Sequence, residues 1–188
     1  MRTSPDSVAP TSALAGRGLP YSLQRAYVRF MLWLIGRLLQ AASTVDEEVM
    51  REVRSLPDGF SFSMRVRSGS AALVLVKRGE RLVAAPAGTV PHPALSFEFK
   101  HVAHAFLVLS FQESTPRAFA NDRLSVDGEY PSAMKMLRAL NRMQALVLPG
   151  FVAVRALKSC PKLGLGEKLG LAARIYGRMC IEIFKRPV

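Results

Sequence analysis

The sequence has few cysteines and lacks the common motifs for metal and nucleotide binding. Only two of its 188 residues are cysteines, Cys160 and Cys180, and they do not have CxxC spacing. This excludes a disulfide framework and a cysteine zinc site, and it predicts a reducing, cytoplasmic location. The chain contains no HExxH motif and no glycine-rich phosphate loop. We therefore expect no metal and no other cofactor.

The chain also lacks an apolar run long enough to cross a membrane. A spanning helix needs about 18 apolar residues, whereas the apolar stretch 26–42 is interrupted by Arg29, Gly36 and Arg37. Residues 1–20 contain proline, serine and glycine where a secretory peptide requires apolar residues, and we interpret them as a flexible tail. We expect contact with the inner face of a membrane to be peripheral.

Acidic residues are scarce relative to basic ones. The chain has 26 Lys and Arg against 14 Asp and Glu, a formal net charge of +12. The excess is concentrated in residues 131–188, which contain eleven basic and two acidic side chains. Such a segment suits an anionic partner, either a phospholipid surface or the phosphate backbone of a nucleic acid. Charge alone does not choose between these two partners.

Apolar residues make up 49% of the chain, enough for a sizeable core, and their spacing predicts the secondary structure. The strand over 60–66 alternates apolar and polar residues, so it is predicted to be half-buried. The strand over 71–76 is unbroken and apolar, which predicts a central strand, and 77–80 is predicted to form the following turn. The full predicted order is helices over 21–43 and 46–54, strands over 60–66, 71–76, 81–85 and 95–99, a helix over 101–111, a short helix from 114, a strand over 123–127, and helices over 130–146 and 167–184.

Residues 116–140, which read PRAFANDRLSVDGEYPSAMKMLRAL, carry the most specific pattern in the chain. A short aromatic helix containing Phe119 precedes the strand RLSV, then Gly128, then a helix containing AMKM at 133–136. This order resembles the closing segment of the sterol carrier protein type 2 family. It is also similar to the sterol-carrier-like accessory proteins of bacterial ubiquinone synthesis. The resemblance extends over about residues 46–148.

The resemblance implies an α+β fold with a mostly antiparallel five-stranded sheet covered by helices, and with N- and C-terminal helical extensions. It divides the chain into a flexible tail (1–20), an amphipathic N-terminal helix (21–45), a lipid-binding domain (46–148) and a basic C-terminal helical extension (149–188). It implies noncatalytic binding of an apolar lipid, namely an isoprenoid quinone precursor, a sterol-like lipid or an acyl lipid. The lipid would be transferred or presented to membrane-associated biosynthetic enzymes, for example in ubiquinone biosynthesis.

A cavity between the sheet and the helices requires large, adaptable apolar side chains on its walls. The same residues fill a tightly packed core equally well, so both readings remain open. The candidate lipid-binding residues are Phe97, Phe99, Phe106, Leu109, Phe119, Met134, Leu137, Leu140 and Met143.

Aromatic and basic residues on the first and last predicted helices are typical of a membrane interface, with Trp33 as a natural anchor. The alternative is a pair of helices packed on the domain, with solvated arginines. The candidate residues for contact with a membrane or another anionic surface are Arg25, Arg29, Trp33, Arg37, Arg174, Arg178 and Lys185.

Two other functions fit the sequence. A noncatalytic assembly factor would have a filled core and would bind partner proteins through its helices. Nucleic-acid binding through the basic C-terminal segment ranks third, because that segment has few aromatic residues and no helix-turn-helix or RNA-binding signature. The best enzyme candidate is the pair His101 and His104, whose spacing suits a metal site on a helix. No carboxylate or cysteine cluster supports that site, and we expect no enzyme activity.

Overall fold

The protein folds as helices packed on a mixed sheet. A computed structural model describes residues 19–67, 72–147 and 165–185, with side chains described for 169–181 of the last range. The elements in these ranges are α1 (Tyr21–Val45), α2 (Glu47–Arg54), β1 (Ser61–Val66), β2 (Ala72–Arg78), β3 (Arg81–Ala85), β4 (Leu95–Phe99), α3 (Val102–Leu109), α4 (Thr115–Ala120), β5 (Leu124–Gly128), α5 (Tyr130–Val147) and α6 (Leu165–Lys185). The predicted α+β class and order of elements are confirmed. The predicted boundary near Pro149, and Cys160, lie outside the described residues.

The five strands of the described residues have the order β3-β2-β1-β4-β5. Neighbouring strands pair antiparallel except β1 and β4, which are parallel, with Phe62 opposite Leu95. The sheet is therefore mostly antiparallel, as predicted. The prediction of a central strand over 71–76 is confirmed, because β2 lies between β3 and β1 and its consecutive residues Leu73, Val74 and Leu75 are buried on both faces.

The prediction that β1 is half-buried is wrong at Ser61 and Ser63. Both are 6% exposed although they alternate with the apolar residues of the strand. The Ser63 hydroxyl hydrogen-bonds the Ser96 hydroxyl at 3.0 Å, and the Ser61 hydroxyl oxygen accepts from the Ala94 N–H at 3.0 Å. Small hydroxyl side chains that satisfy each other and the backbone can be buried at little cost.

The predicted turn at 77–80 begins later than expected, because β2 continues to Arg78. Lys77 is 7% exposed and its ammonium points to the end of α2. It donates to the Leu56 carbonyl at 2.6 Å, to the Arg54 carbonyl at 3.3 Å and to the Asp58 carboxylate at 3.2 Å. These acceptors compensate the burial of the charge and satisfy carbonyls that a helix end leaves unpaired.

Helix α1 packs on the sheet and belongs to the same hydrophobic core. Val28, Leu32 and Leu39 on one side of the helix are fully buried. Gly36 allows the helix to approach β2 closely, since a Cβ atom at this position would lie 2.3 Å from Cδ1 of Leu73. The helix ends before Asp46, whose carboxylate caps α2 by accepting from the Val49 N–H at 3.0 Å.

Basic side chains at one-turn spacing on α5 bind the acidic helix α2. These charges belong to the basic segment 131–188, yet they are engaged within the fold. Arg142 and Asp46 form the most protected pair, with side chains 12% and 3% exposed. The contacts are Lys135 Nζ to the Ser55 carbonyl (2.6 Å), Arg138 to both Glu52 carboxylate oxygens (2.7 and 2.9 Å), Arg142 Nη2 to Asp46 Oδ2 (3.1 Å) and Arg142 Nε to Glu48 Oε2 (3.3 Å).

Helix α6 packs on α1 and α5. Its Ile175 is fully buried, and Leu171 and Met179, one turn to either side, pack against the same core. None of the helices in the described ranges combines the length and the apolar character that a membrane crossing requires.

Candidate binding cavity

A cavity of about 140 Å³ lies between the inner face of the sheet and helices α1, α5 and α6. The sheet contributes Met64, Phe97, Phe99 and Leu124. Met64 pairs with Phe97, and Phe99 pairs with Leu124, so strand alternation directs all four side chains to one face. The floor of the cavity is therefore apolar.

Two helices supply the walls. Met31, Leu34, Ile35 and Leu38 of α1 line the cavity at the three- and four-residue steps of one helix face. Helix α5 contributes apolar residues and the amide side chains of Asn141 and Gln144. The α5 lining residues are Leu137, Leu140, Asn141, Met143, Gln144 and Val147. Methionines on the floor and on both walls allow the cavity to change shape, because their thioether side chains adopt many conformations.

The lining also contains polar residues. They are Glu113 and Ser114 between α3 and α4, Thr115 at the start of α4, and the two α5 amides. The Glu113 carboxylate is nearly buried and accepts from Asn121 Nδ2 and Arg123 Nη1, both at 2.9 Å. Ser114 is exposed, and Thr115 is half-buried.

The connection that supplies Glu113 and Ser114 begins at a strained residue. Phe111 lines the cavity and has a φ of 60°, a conformation that bulky side chains rarely adopt. The turn is stabilised by the Leu107 carbonyl, which accepts from the N–H groups of Gln112 (2.9 Å) and Glu113 (3.1 Å). Such strain persists only where surrounding contacts hold it, often at functional sites.

The structure brings most of the predicted lipid-binding residues together. Three of them, Phe106, Met134 and Phe119, do not line the cavity. Phe106 is buried but packs edge-on against Tyr27, with ring centroids 5.3 Å apart. Met134 is half-buried and Phe119 is 58% exposed. Helix α4 buries Ala118 instead of Phe119. The residues in the lining are Phe97, Phe99, Leu109, Leu137, Leu140 and Met143.

Several lining residues were missed from the sequence. The α1 stripe containing Met31 and Leu34 was visible, but it was assigned to an extension outside the binding domain. Met64 was visible as an inward position of β1, and its pairing with Phe97 could not be read from the sequence. Tyr176 of α6 also lines the cavity, and no local signal distinguishes it from its neighbours.

Most of the predicted surface residues lie on the outside of α1 and α6. Arg37 is half-buried, and the side chain of Lys185 lies outside those that the structure describes. Burial raises the pKa of the Tyr176 hydroxyl. The exposed members of the set are Arg25, Arg29, Trp33, Arg174 and Arg178.

The two histidines considered for a metal site have rings 5.2 Å apart. Burial, together with the charges of Arg123 and His101, lowers the pKa of His104. Its Nδ1 atom is buried and has no hydrogen-bond partner among the described residues. Within the same ranges, no group of three or more His, Cys, Asp or Glu side chains is arranged to hold a metal ion.

The chain is similar to known proteins in structure only. No protein-family model and no curated protein sequence matches the chain. In structure the chain is similar to sterol carrier protein type 2 domains, the family that residues 116–140 resemble. One is the solution structure of sterol carrier protein domain 2 of Helicoverpa armigera, with 18% identity and a TM-score of 0.44 over 60% of this chain and 87% of that chain. Another is the ubiquinone synthesis protein UbiJ-SCP2, with 12% identity and a TM-score of 0.40 over 64% of this chain and 98% of that chain.

Proposed function

We propose that the protein binds an apolar lipid, without catalysis, in the cavity between the sheet and the helices. The observation that supports this proposal is the cavity itself, which is apolar over its floor and walls. Protein interiors normally leave few voids larger than a water molecule. The apolar part of the lining favours an apolar ligand, because each Å² of apolar surface removed from water contributes about 25 cal/mol.

The volume and polarity of the cavity suggest how a lipid is held. Pockets for drug-sized ligands measure roughly 300–1,000 Å³, so the 140 Å³ cavity accommodates a ring or a short stretch of chain in its present shape. A longer lipid extends past the exposed Ser114, or widens the cavity by moving Met31, Met64 and Met143. A polar headgroup then lies near Glu113 and Asn141.

The cargo and its destination form the finer part of the proposal. The candidate lipids are an isoprenoid quinone precursor, a sterol-like lipid and an acyl lipid. The protein transfers this cargo or presents it to membrane-associated enzymes, in ubiquinone biosynthesis or a similar route, while lying peripherally on the inner face of the membrane. Nucleic acid is a poorer partner, because Lys135, Arg138 and Arg142 contact α2 instead of forming an open basic surface.

The proposal is tested by filling the cavity. We expect Leu137→Trp to lose the lipid that copurifies with the native protein, because the indole occupies the space between α5 and the sheet. The measurement is mass spectrometry of the organic extract from gently purified protein, with circular dichroism to confirm that the variant is folded. Phe119→Trp is the matched control, since it adds the same indole at an exposed site outside the cavity.

Equal amounts of lipid in folded Leu137→Trp and in the Phe119→Trp control would contradict this cavity as the binding site. An empty extract from the native protein, repeated after incubation with membranes, would favour the other candidate function, a noncatalytic assembly factor that binds partner proteins.

A further inference from the structure

Large exposed apolar side chains are concentrated on the two terminal helices. Among the described residues, α1 carries Leu23, Phe30 and Trp33, and α6 carries Leu169 and Tyr176, each between 42% and 66% exposed. We call these five residues the α1–α6 face. The remaining surface of the described ranges shows such side chains only at scattered positions, including Phe119, Tyr130 and Ile181.

On α1 the exposed apolar residues form a second stripe, separate from the buried one. At 3.6 residues per turn, Leu23, Phe30 and Trp33 fall within about 80° of arc, on the side away from Val28 and Leu32. The Phe30 and Trp33 rings lie 6.0 Å apart. A helix that is apolar on both sides normally buries both, whereas here only one side is covered.

The same pattern occurs on α6. Ile175 is buried against α1 and α5, while Leu169 and Tyr176, two turns apart, lie on the exposed side. Tyr176 also lines the cavity together with Leu34, the residue that follows Trp33 on α1. The α1–α6 face therefore borders the cavity.

The charges around this face are positive. Helix α1 contains Arg25, Arg29 and Arg37 and has no acidic residue along its length. Arg174 of α6 is exposed too, on a different side of that helix from Leu169 and Tyr176. Apolar and aromatic side chains next to arginines are the composition that binds the interface of an anionic bilayer, where the rings enter the headgroup boundary and the guanidinium groups meet phosphates.

We propose that the α1–α6 face docks on an anionic phospholipid bilayer. Phe30, Trp33 and Leu169 enter the boundary between headgroups and acyl chains, while Arg29 contacts the headgroups. Docking places the cavity beside the lipid from which cargo enters. The role of the cavity as an entry route rests on the proposed function, whereas docking itself does not.

The experiment uses the full chain and vesicles of phosphatidylcholine, alone or mixed with phosphatidylglycerol. Because Trp33 is the only tryptophan, its emission reports directly on this face. We expect a blue shift and quenching by brominated lipid with the anionic vesicles, and weaker binding at high salt. The double variant Phe30→Ser with Leu169→Ser should reduce partitioning at least about tenfold, because two large apolar side chains no longer enter the interface.

The matched control is Phe119→Ser with Tyr130→Ser, which removes two exposed aromatic side chains elsewhere and should partition like the native protein. The charge variant Arg29→Glu leaves the apolar residues intact and should weaken the preference for phosphatidylglycerol. It provides a second test if the serine variant does not fold.

Unchanged Trp33 emission on anionic vesicles would overturn the proposal. So would equal losses in the face and control variants, or a concentration-dependent dimer that buries this face and does not bind vesicles. The cavity is tested separately: we expect Leu137→Trp to lose copurified lipid and still bind vesicles. Native protein that binds vesicles but never contains lipid would contradict the proposed function and leave docking intact.

Discussion

At the scale of single residues, Gly128 shows how one position joins a strand to the helix that lines the cavity. Its φ is 134°, and a Cβ atom there would lie 2.5 Å from the Ala94 carbonyl oxygen. The residue pairs with Leu95 at the end of β5 and comes just before α5. The glycine in the family-like motif is thus required both by its backbone conformation and by the lack of space.

We predict that Gly128→Ala lowers the free energy of unfolding by about 3 kcal/mol, because strain and a backbone clash add. Gly79→Ala is the control: Gly79 also has a positive φ, 61°, but nothing lies within 4 Å of its added Cβ. The control should lose only about 1 kcal/mol. Urea denaturation measures both, and similar losses would show that the contact with Ala94 does not matter.

At the scale of elements, α5 has two functions in the fold. Leu137, Leu140 and Met143 on one side line the cavity, while Arg138 and Arg142 on another side bind α2. Because α2 is held by charged contacts to α5, the position of the cavity wall depends on ion pairs outside the cavity. The basic stripe on α5 therefore stabilises the fold and does not form a free anionic-partner surface.

We predict that Arg142→Met destabilises the protein by about 3 kcal/mol, because it leaves the buried Asp46 carboxylate without its guanidinium. Arg138→Met is the same substitution but breaks a more exposed pair, with side chains 54% and 24% exposed, and should have a much smaller effect. Thermal or urea unfolding of the two variants tests this difference. Equal losses in the free energy of unfolding would mean that the buried contact with Asp46 stabilises the fold no more than the exposed contact with Glu52.

At the scale of the whole molecule, one hydrophobic core connects the first helix, the sheet and the last helix. The core cluster includes Leu32 of α1, Phe62 of β1, Met143 of α5 and Ile175 of α6. The boundary at 45/46 suggested by the family resemblance therefore does not coincide with a gap in packing. The boundary stays a prediction about how the chain is organised.

We predict that the protein unfolds in urea as one cooperative unit, because removing α1 would expose the core of the sheet. Emission from Trp33 on α1 and far-UV circular dichroism should give the same transition midpoint. A Trp33 transition at lower urea concentration would instead indicate that residues 46–148 fold independently of the first helix.

The local pattern of the sequence determined the elements and their order. The helix predicted over 130–146 is observed as Tyr130–Val147, and the alternation of Leu95, Phe97 and Phe99 predicted β4. These predictions succeed because helical and strand periodicity depend on neighbouring residues. The resemblance carried by residues 116–140 likewise lies within one continuous stretch.

Only the tertiary structure decided which elements and side chains are in contact. The parallel pairing of β1 with β4, the burial of Ser63 against Ser96, and the contact of Arg142 with Asp46 join residues that are far apart in sequence. The same apolar stripe on α5 suits either a filled core or a cavity wall. The distance between layers decides between them, and that distance is set by how α1, α5 and α6 pack together on the sheet.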